Sequence, residues 1–141
     1  MKKVSIALLG LGNVGRGVWK ILDANKDEIR ERSGYEIEVS KILVRDRNKN
    51  RGIDVPEEII TTNADEIFED ENIKIVVELM GGIDPAKEYM IRAMKNKKHV
   101  VTANKLAVAT CGSELLKTAQ EENVRLCYEA SEIGRASCRE R

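Results

Sequence analysis

At 141 residues with 42% hydrophobic content, the chain is one domain's worth of sequence, long enough to bury a core. Its 24 basic and 24 acidic residues cancel, and with only 4% aromatics there is neither a field nor a stacking surface to recruit nucleic acid. Cys111, Cys127 and Cys138 are odd in number and lack C-x-x-C spacing, which argues against a disulfide framework and a zinc site. Met1-Lys2-Lys3 before an apolar run superficially suggests a secretory leader, yet no small-residue cleavage site follows and the run ends in glycines. No apolar segment has membrane-spanning length, so the expectation is a cytoplasmic protein without membrane or nucleic-acid partners.

The first element is Val4–Leu9, an apolar run without alternation, as expected of a strand buried on both faces of a parallel sheet. It ends in Gly10-x-Gly12-x-x-Gly15, and Val14, Val18, Ile21 and Leu22 then recur at helical spacing. Between a buried strand and an amphipathic helix, Gly10 makes the tight turn and Gly12 admits a pyrophosphate close to the backbone. Gly15 lets the helix pack tightly, and the helix N-terminus offers N–H groups to the phosphates. The pattern predicts one helix from about Asn13 to Arg32, closed by Gly34, then a second strand, Glu36–Val44.

The end of that second strand is where such a domain selects its cofactor. A carboxylate there binds the adenosine ribose of NAD, whereas an arginine accommodates the 2′-phosphate of NADP. Arg45 stands first past the strand and can grip a phosphate, so NADP is favoured. Asp46 leaves NAD use open, and Arg47, Lys49 and Arg51 read as a solvated loop.

Ile59–Thr62 reads as a short strand, and Asn63 with Glu66 has capping-box spacing for a small helix, Ala64–Glu69. Ile73–Leu79 is another buried strand, ending in Met80-Gly81-Gly82. That pair of glycines either lets a ligand approach the backbone or makes a flexible turn. Asp84-Pro85 opens the next helix as N-cap and first-turn proline, with Ala86, Tyr89, Met90, Ala93 and Met94 facing the core. Lys95 to Lys98 close it favourably for the helix dipole.

His99–Thr102 is a central strand, and His99, at its entry end, reads as structural. The strand delivers Thr102-Ala103-Asn104-Lys105 to the ligand edge. There the lysine either touches nicotinamide and substrate or is a solvated helix-start residue. Leu106–Ala109 and Glu114–Glu122 read as helical, and Val124–Tyr128 as the last strand. The alternation is that of an α/β chain, a single Rossmann-type doubly wound parallel sheet.

Five segments together resemble homoserine dehydrogenase: Gly10-Leu-Gly-Asn-Val-Gly15, Leu43-Val-Arg-Asp46, Val76-Val-Glu-Leu-Met-Gly-Gly82, Val100-Val-Thr-Ala-Asn-Lys105 and Tyr128-Glu-Ala-Ser131. The resemblance implies an oxidoreductase that interconverts L-homoserine and L-aspartate 4-semialdehyde with NAD or NADP, on the route to threonine and methionine. It implies a homo-oligomeric parent acting on small molecules. Carried over by position, it assigns the pyrophosphate to Gly10, Gly12, Asn13, Val14 and Gly15, and the adenosine end to Val44 and Arg45. Gly81 and Thr102 fall on the nicotinamide side, and Lys105 becomes a catalytic residue where cofactor and substrate meet. A second family lysine, in the substrate domain, has no counterpart in these residues.

The match covers residues 1–131, the expected NAD(P)-binding domain. Glu132–Arg141 shows no strand or helix logic and reads as a non-native junction, with the substrate domain absent and the fragment inactive alone. Two alternatives remain open at this level: a non-catalytic nucleotide-sensing module, and the cofactor domain of another two-domain reductase of amino-acid derivatives.

Overall fold

The computed structural model describes residues 2–45, 57–80, 86–102 and 104–128. The Asp84-Pro85 cap, Gly81, Cys138 and the tail 132–141 lie outside these residues. Six parallel strands run β1 Lys2–Leu9, β2 Tyr35–Leu43, β3 Ile60–Thr61, β4 Ile73–Glu78, β5 His99–Thr102 and β6 Leu126–Tyr128. Their order in the sheet is β3-β2-β1-β4-β5-β6. The strand order therefore reverses between β1 and β4, and ligands of open parallel sheets bind outside the carboxyl ends of the strands at such a point.

Alternate residues of β1 are buried on opposite faces, which is why its sequence shows no polar alternation. Ala7 and Leu9 join one core with Met90, Ala93 and Met94 of α4 (Ala86–Lys95) and with Ala107, Leu115 and Ala119 of α5 (Lys105–Glu122). Ile6 and Leu8 join another, against Val18, Trp19 and Leu22 of α1 (Asn13–Ala24). Each fully buried aliphatic side chain there contributes about 1.5–3 kcal/mol. The paired methionines of α4 are sheet-facing core, as their spacing suggested.

Three local expectations are corrected. The single helix Asn13–Arg32 is two, α1 and α2 (Lys26–Ser33), separated by Asn25 at φ −110°, ψ 22°. Both the main-chain and side-chain N–H groups of Asn25 donate to Ile21 O, at 3.0 and 2.9 Å. An amide side chain that competes for the helix's own carbonyl ends the helix there. Helix α2 restarts with Asp27 and Glu28 in its first turn and is closed by Gly34 at φ +76°, as expected of a left-handed C-cap.

The reciprocal capping box is the second correction. Asn63 Oδ1 accepts from the Asp65 N–H at 3.0 Å, while Glu66 pairs with Lys41 on β2 instead of folding back. The small helix, α3, accordingly spans only Asp65–Phe68. Third, Leu106–Ala109 and Glu114–Glu122 are parts of one helix, α5, which continues through Gly112 because an unbroken apolar face is buried on the sheet. The described helices include none long and apolar enough to cross a membrane, and the described residues hold no metal-ligating cluster.

Candidate functional site

Leaving β1, the chain stays fastened to both neighbouring strands: Gly10 N–H donates to Leu43 O, and Leu79 N–H to Leu9 O, each at 2.9 Å. Gly10 has φ +107°, which strains any residue with a Cβ. An added Cβ would also stand 3.2 Å from Met80 Cγ and 3.3 Å from the Leu79 carbonyl. Gly10 is therefore required by the fold. Gly12 is not: its φ is −80°, and among the described residues a Cβ there meets nothing within 4 Å.

Gly12 is the N-cap of α1, and no side chain caps that helix end. Its first turn carries no acidic residue, so the helix itself places no carboxylate at the positive end of its dipole. Asn13, Val14 and Gly15 form that first turn. An uncapped helix start beside open space, at the reversal point of the sheet, fits the pyrophosphate of a dinucleotide.

At the end of β2 the two expected adenosine-side residues differ. Val44 is buried among Ile6, Leu8 and Ile42, and its N–H donates to Thr61 O at 2.9 Å. What it can offer a ligand is a floor. Arg45 is exposed at the same edge and is free to reach solvent or a phosphate.

The third part is a polar chain running from Glu78, which sequence reasoning missed, to Thr102 and Asn104. Glu78, the last residue of β4, is 0% exposed. Its Oε2 accepts from Met80 N–H at 2.8 Å, and its Oε1 accepts from the Thr102 hydroxyl at 2.6 Å. Thr102 Oγ1 in turn accepts from Asn104 N–H at 3.0 Å, and Asn104 Oδ1 caps α5 by accepting from Ala107 N–H at 3.0 Å. Lys105 is the first residue of that helix. The Thr102 hydroxyl is thus committed inside the protein, with the side chain 1% exposed. It braces the carboxyl end of β5 against β4 from beneath. A carboxylate closing the run Ile75-Val76-Val77 at the carboxyl end of the strand is the signal that would have found Glu78.

At the opposite edge, Lys98 is buried and donates to Asp70 O at 2.6 Å and Ile73 O at 2.8 Å. It ties β4's entry to the end of α4 and does not decorate the helix terminus as expected from its neighbours. Burial pulls its ammonium below the ordinary lysine range; Asp70 and Glu71 oppose this, and Lys74 adds to it. His99 Nδ1 accepts from Arg125 N–H at 3.0 Å, linking β5 to the approach to β6. Burial, then the Arg125 charge, lowers its pKa from the usual histidine value. Both residues lie away from the ligand edge, and His99 is structural.

The chain is similar in sequence and fold to known proteins. The family model "Homoserine dehydrogenase, NAD binding domain" matches residues 10–129. The homoserine dehydrogenase of Bacillus subtilis is 41% identical over 134 residues, covering 95% of this chain and 31% of that protein. The crystal structure of the Staphylococcus aureus homoserine dehydrogenase at pH 8.5 matches with a TM-score of 0.86 and 44% identity, over 93% of this chain and 34% of that one. For the Thiobacillus denitrificans homoserine dehydrogenase the TM-score is 0.83 and the identity 42%, over 92% of this chain and 30% of that one. The chain thus spans about a third of the length of the relatives it matches. With the fingerprint, the sheet order and the matched span in agreement, the chain belongs to the homoserine dehydrogenase NAD-binding domain family.

Proposed function

We propose that this chain is the cofactor-holding part of a homoserine dehydrogenase that interconverts L-homoserine and L-aspartate 4-semialdehyde, with NADP(H) preferred over NAD(H). The observation that carries the reading is the start of α1: a glycine turn, no side-chain cap, and open space over Gly12 at the reversal point of the sheet.

In this reading the N–H groups of Asn13, Val14 and Gly15 hold the pyrophosphate, and Gly10 and Gly12 keep side chains out of its way. Val44 floors the adenosine end and Arg45 supplies the charge for a 2′-phosphate. Gly81 and Thr102 border the nicotinamide side. When bound, the nicotinamide supplies or accepts the hydride exchanged with the substrate carbon. Lys105 contributes an ammonium at the start of α5, where its Nζ stabilises charge on the substrate oxygen and can pass it a proton.

Calorimetric titration of the chain with NADPH and NADH tests the reading. Tighter NADPH binding is expected. A charge-assisted contact is worth roughly 1.5–3 kcal/mol, so Arg45→Ala should cost about tenfold or more in NADPH affinity and little in NADH affinity. Equal losses for both nucleotides would remove Arg45 from the 2′-phosphate site.

A further inference from the structure

We propose that Glu78 is a positioning residue for the cofactor edge: its buried carboxylate buckles the exits of β4 and β5 together. It thereby sets where the first turn of α5, and Lys105 within it, stands relative to the glycine turn after β1. The inference rests on the cofactor reading above and names a residue that touches neither cofactor nor substrate.

The geometry is specific to a carboxylate. Both groups that face Glu78 are donors, the Met80 peptide N–H and the Thr102 hydroxyl. The hydroxyl's direction is fixed, because Thr102 Oγ1 already accepts from Asn104 N–H and its own hydrogen goes to Glu78. Only a side chain with two acceptor oxygens satisfies both. Glutamine has the same shape, yet its amide places an NH₂ opposite one of the two donors.

All three exits meet at this group. Glu78 lies in register with Leu9 of β1 on one side and with Thr102 of β5 on the other. The Met80 peptide that it holds belongs to the same segment that packs within 3.2 Å of a Cβ position at Gly10. On the other side, Thr102 hands the constraint to Asn104, and Asn104 to the α5 backbone at Ala107. No cation pairs with Glu78 among the described side chains. An unpaired buried carboxylate is costly where stability alone is at stake. It gains a use where three turns must hold fixed positions around a ligand.

The test measures NADPH and NADH affinity of the chain by calorimetry for wild type, Glu78→Gln, Thr102→Val, Thr102→Ser and the Glu78→Gln/Thr102→Val pair. Circular dichroism and urea unfolding establish that each variant is folded. Glu78→Gln is expected to weaken both nucleotides by about tenfold. That equal loss separates it from Arg45→Ala, which discriminates between them. Thr102→Val should give a similar loss, Thr102→Ser should recover most of it, and the double variant should be little worse than either single one.

Amide NMR supplies a second readout. The Met80, Asn104 and Ala107 signals should shift together in Glu78→Gln, whereas those of Asp70 and Arg125 at the far edge stay in place. If Glu78→Gln fails to fold, the contrast between Thr102→Val and Thr102→Ser decides. Folded Glu78→Gln with wild-type affinity, Thr102→Val with wild-type affinity, or additive losses in the pair would overturn the positioning role alone. A wild-type chain that binds neither nucleotide would overturn the cofactor reading, and this inference with it.

Discussion

Two helices start at the same edge of the sheet, each after a buried parallel strand, and they are finished in opposite ways. Helix α1 follows β1 through Gly10-Leu11-Gly12, with no side-chain cap and nothing within 4 Å of a Cβ at its N-cap. Helix α5 follows β5 through Thr102-Ala103-Asn104, and Asn104 caps it while the Glu78–Thr102 bonds fill the space below. Helix starts carry unsatisfied N–H groups and partial positive charge, which side chains, water or a bound anion can satisfy. Among the described residues, α1 is left without a side-chain cap. Helix α5 meets part of this need itself, through Asn104 and Thr102, and Lys105 stands at its first position.

The contrast breaks most visibly at Lys105. In a protein of the relatives' full length, Lys105→Ala should lower turnover by about 10²–10³, comparable with removal of an oxyanion-stabilising donor, while NADPH affinity changes little. Lys105→Arg should rescue poorly, because a guanidinium differs in shape and holds its proton. Steady-state kinetics with L-homoserine checks both; near-normal turnover in the alanine variant would make Lys105 a solvated helix-start residue.

Next in size are the two glycines of the α1 turn, which serve different ends. Gly10→Ala must accept φ +107° and contacts of 3.2–3.3 Å, so a loss of about 2–4 kcal/mol in urea unfolding is expected. Gly12→Ala should leave stability within about 1 kcal/mol and, if the proposed pyrophosphate site holds, weaken nucleotide binding, since its methyl would enter that space. Equal effects of the two on stability would show that Gly12 is a fold residue as well.

Asn104→Ala sharpens the other side of the comparison. Loss of the α5 cap should cost about 1–2 kcal/mol of unfolding free energy, whereas adding a cap at α1 with Gly12→Ser should raise stability slightly and compete with the nucleotide. If Gly12→Ser binds NADPH as well as wild type, the start of α1 is not the phosphate site.

The smallest effect concerns pH. His99 accepts from Arg125 N–H through Nδ1, so protonation of that nitrogen breaks the bond, and burial with the Arg125 charge holds its folded pKa below the usual histidine value of 6.5. Stability from this group is complete above pH 6.5, where both states are neutral. It declines as pH falls from 6.5 towards the lower folded value, because the unfolded chain takes up the proton first. The decline is confined to that window and is the smallest effect expected here. Urea titrations across this range should be steeper in pH for wild type than for His99→Gln; identical slopes would assign the pH dependence elsewhere.

Local chemistry decided much of this protein in advance. The apolar run of β1, the glycine spacing, Gly34 and the helical spacing of Met90 and Met94 each act through neighbours a few residues away, so they are legible in a linear string. The same holds for Arg45 at its strand end and for the alternation that dictates a doubly wound sheet. What the string left open required partners distant in sequence. Glu78 and Thr102 are 24 residues apart and meet only because β4 and β5 pair. Lys98 is buried only because β4 brings Ile73 O to it from 25 residues away. The break at Asn25 and the continuity of α5 through Gly112 were likewise settled by competition: an amide against a helix carbonyl in one case, a buried apolar face against a glycine in the other. Propensity is a weak local preference, and packing and buried polar groups, each worth more, override it wherever the tertiary fold brings them to bear.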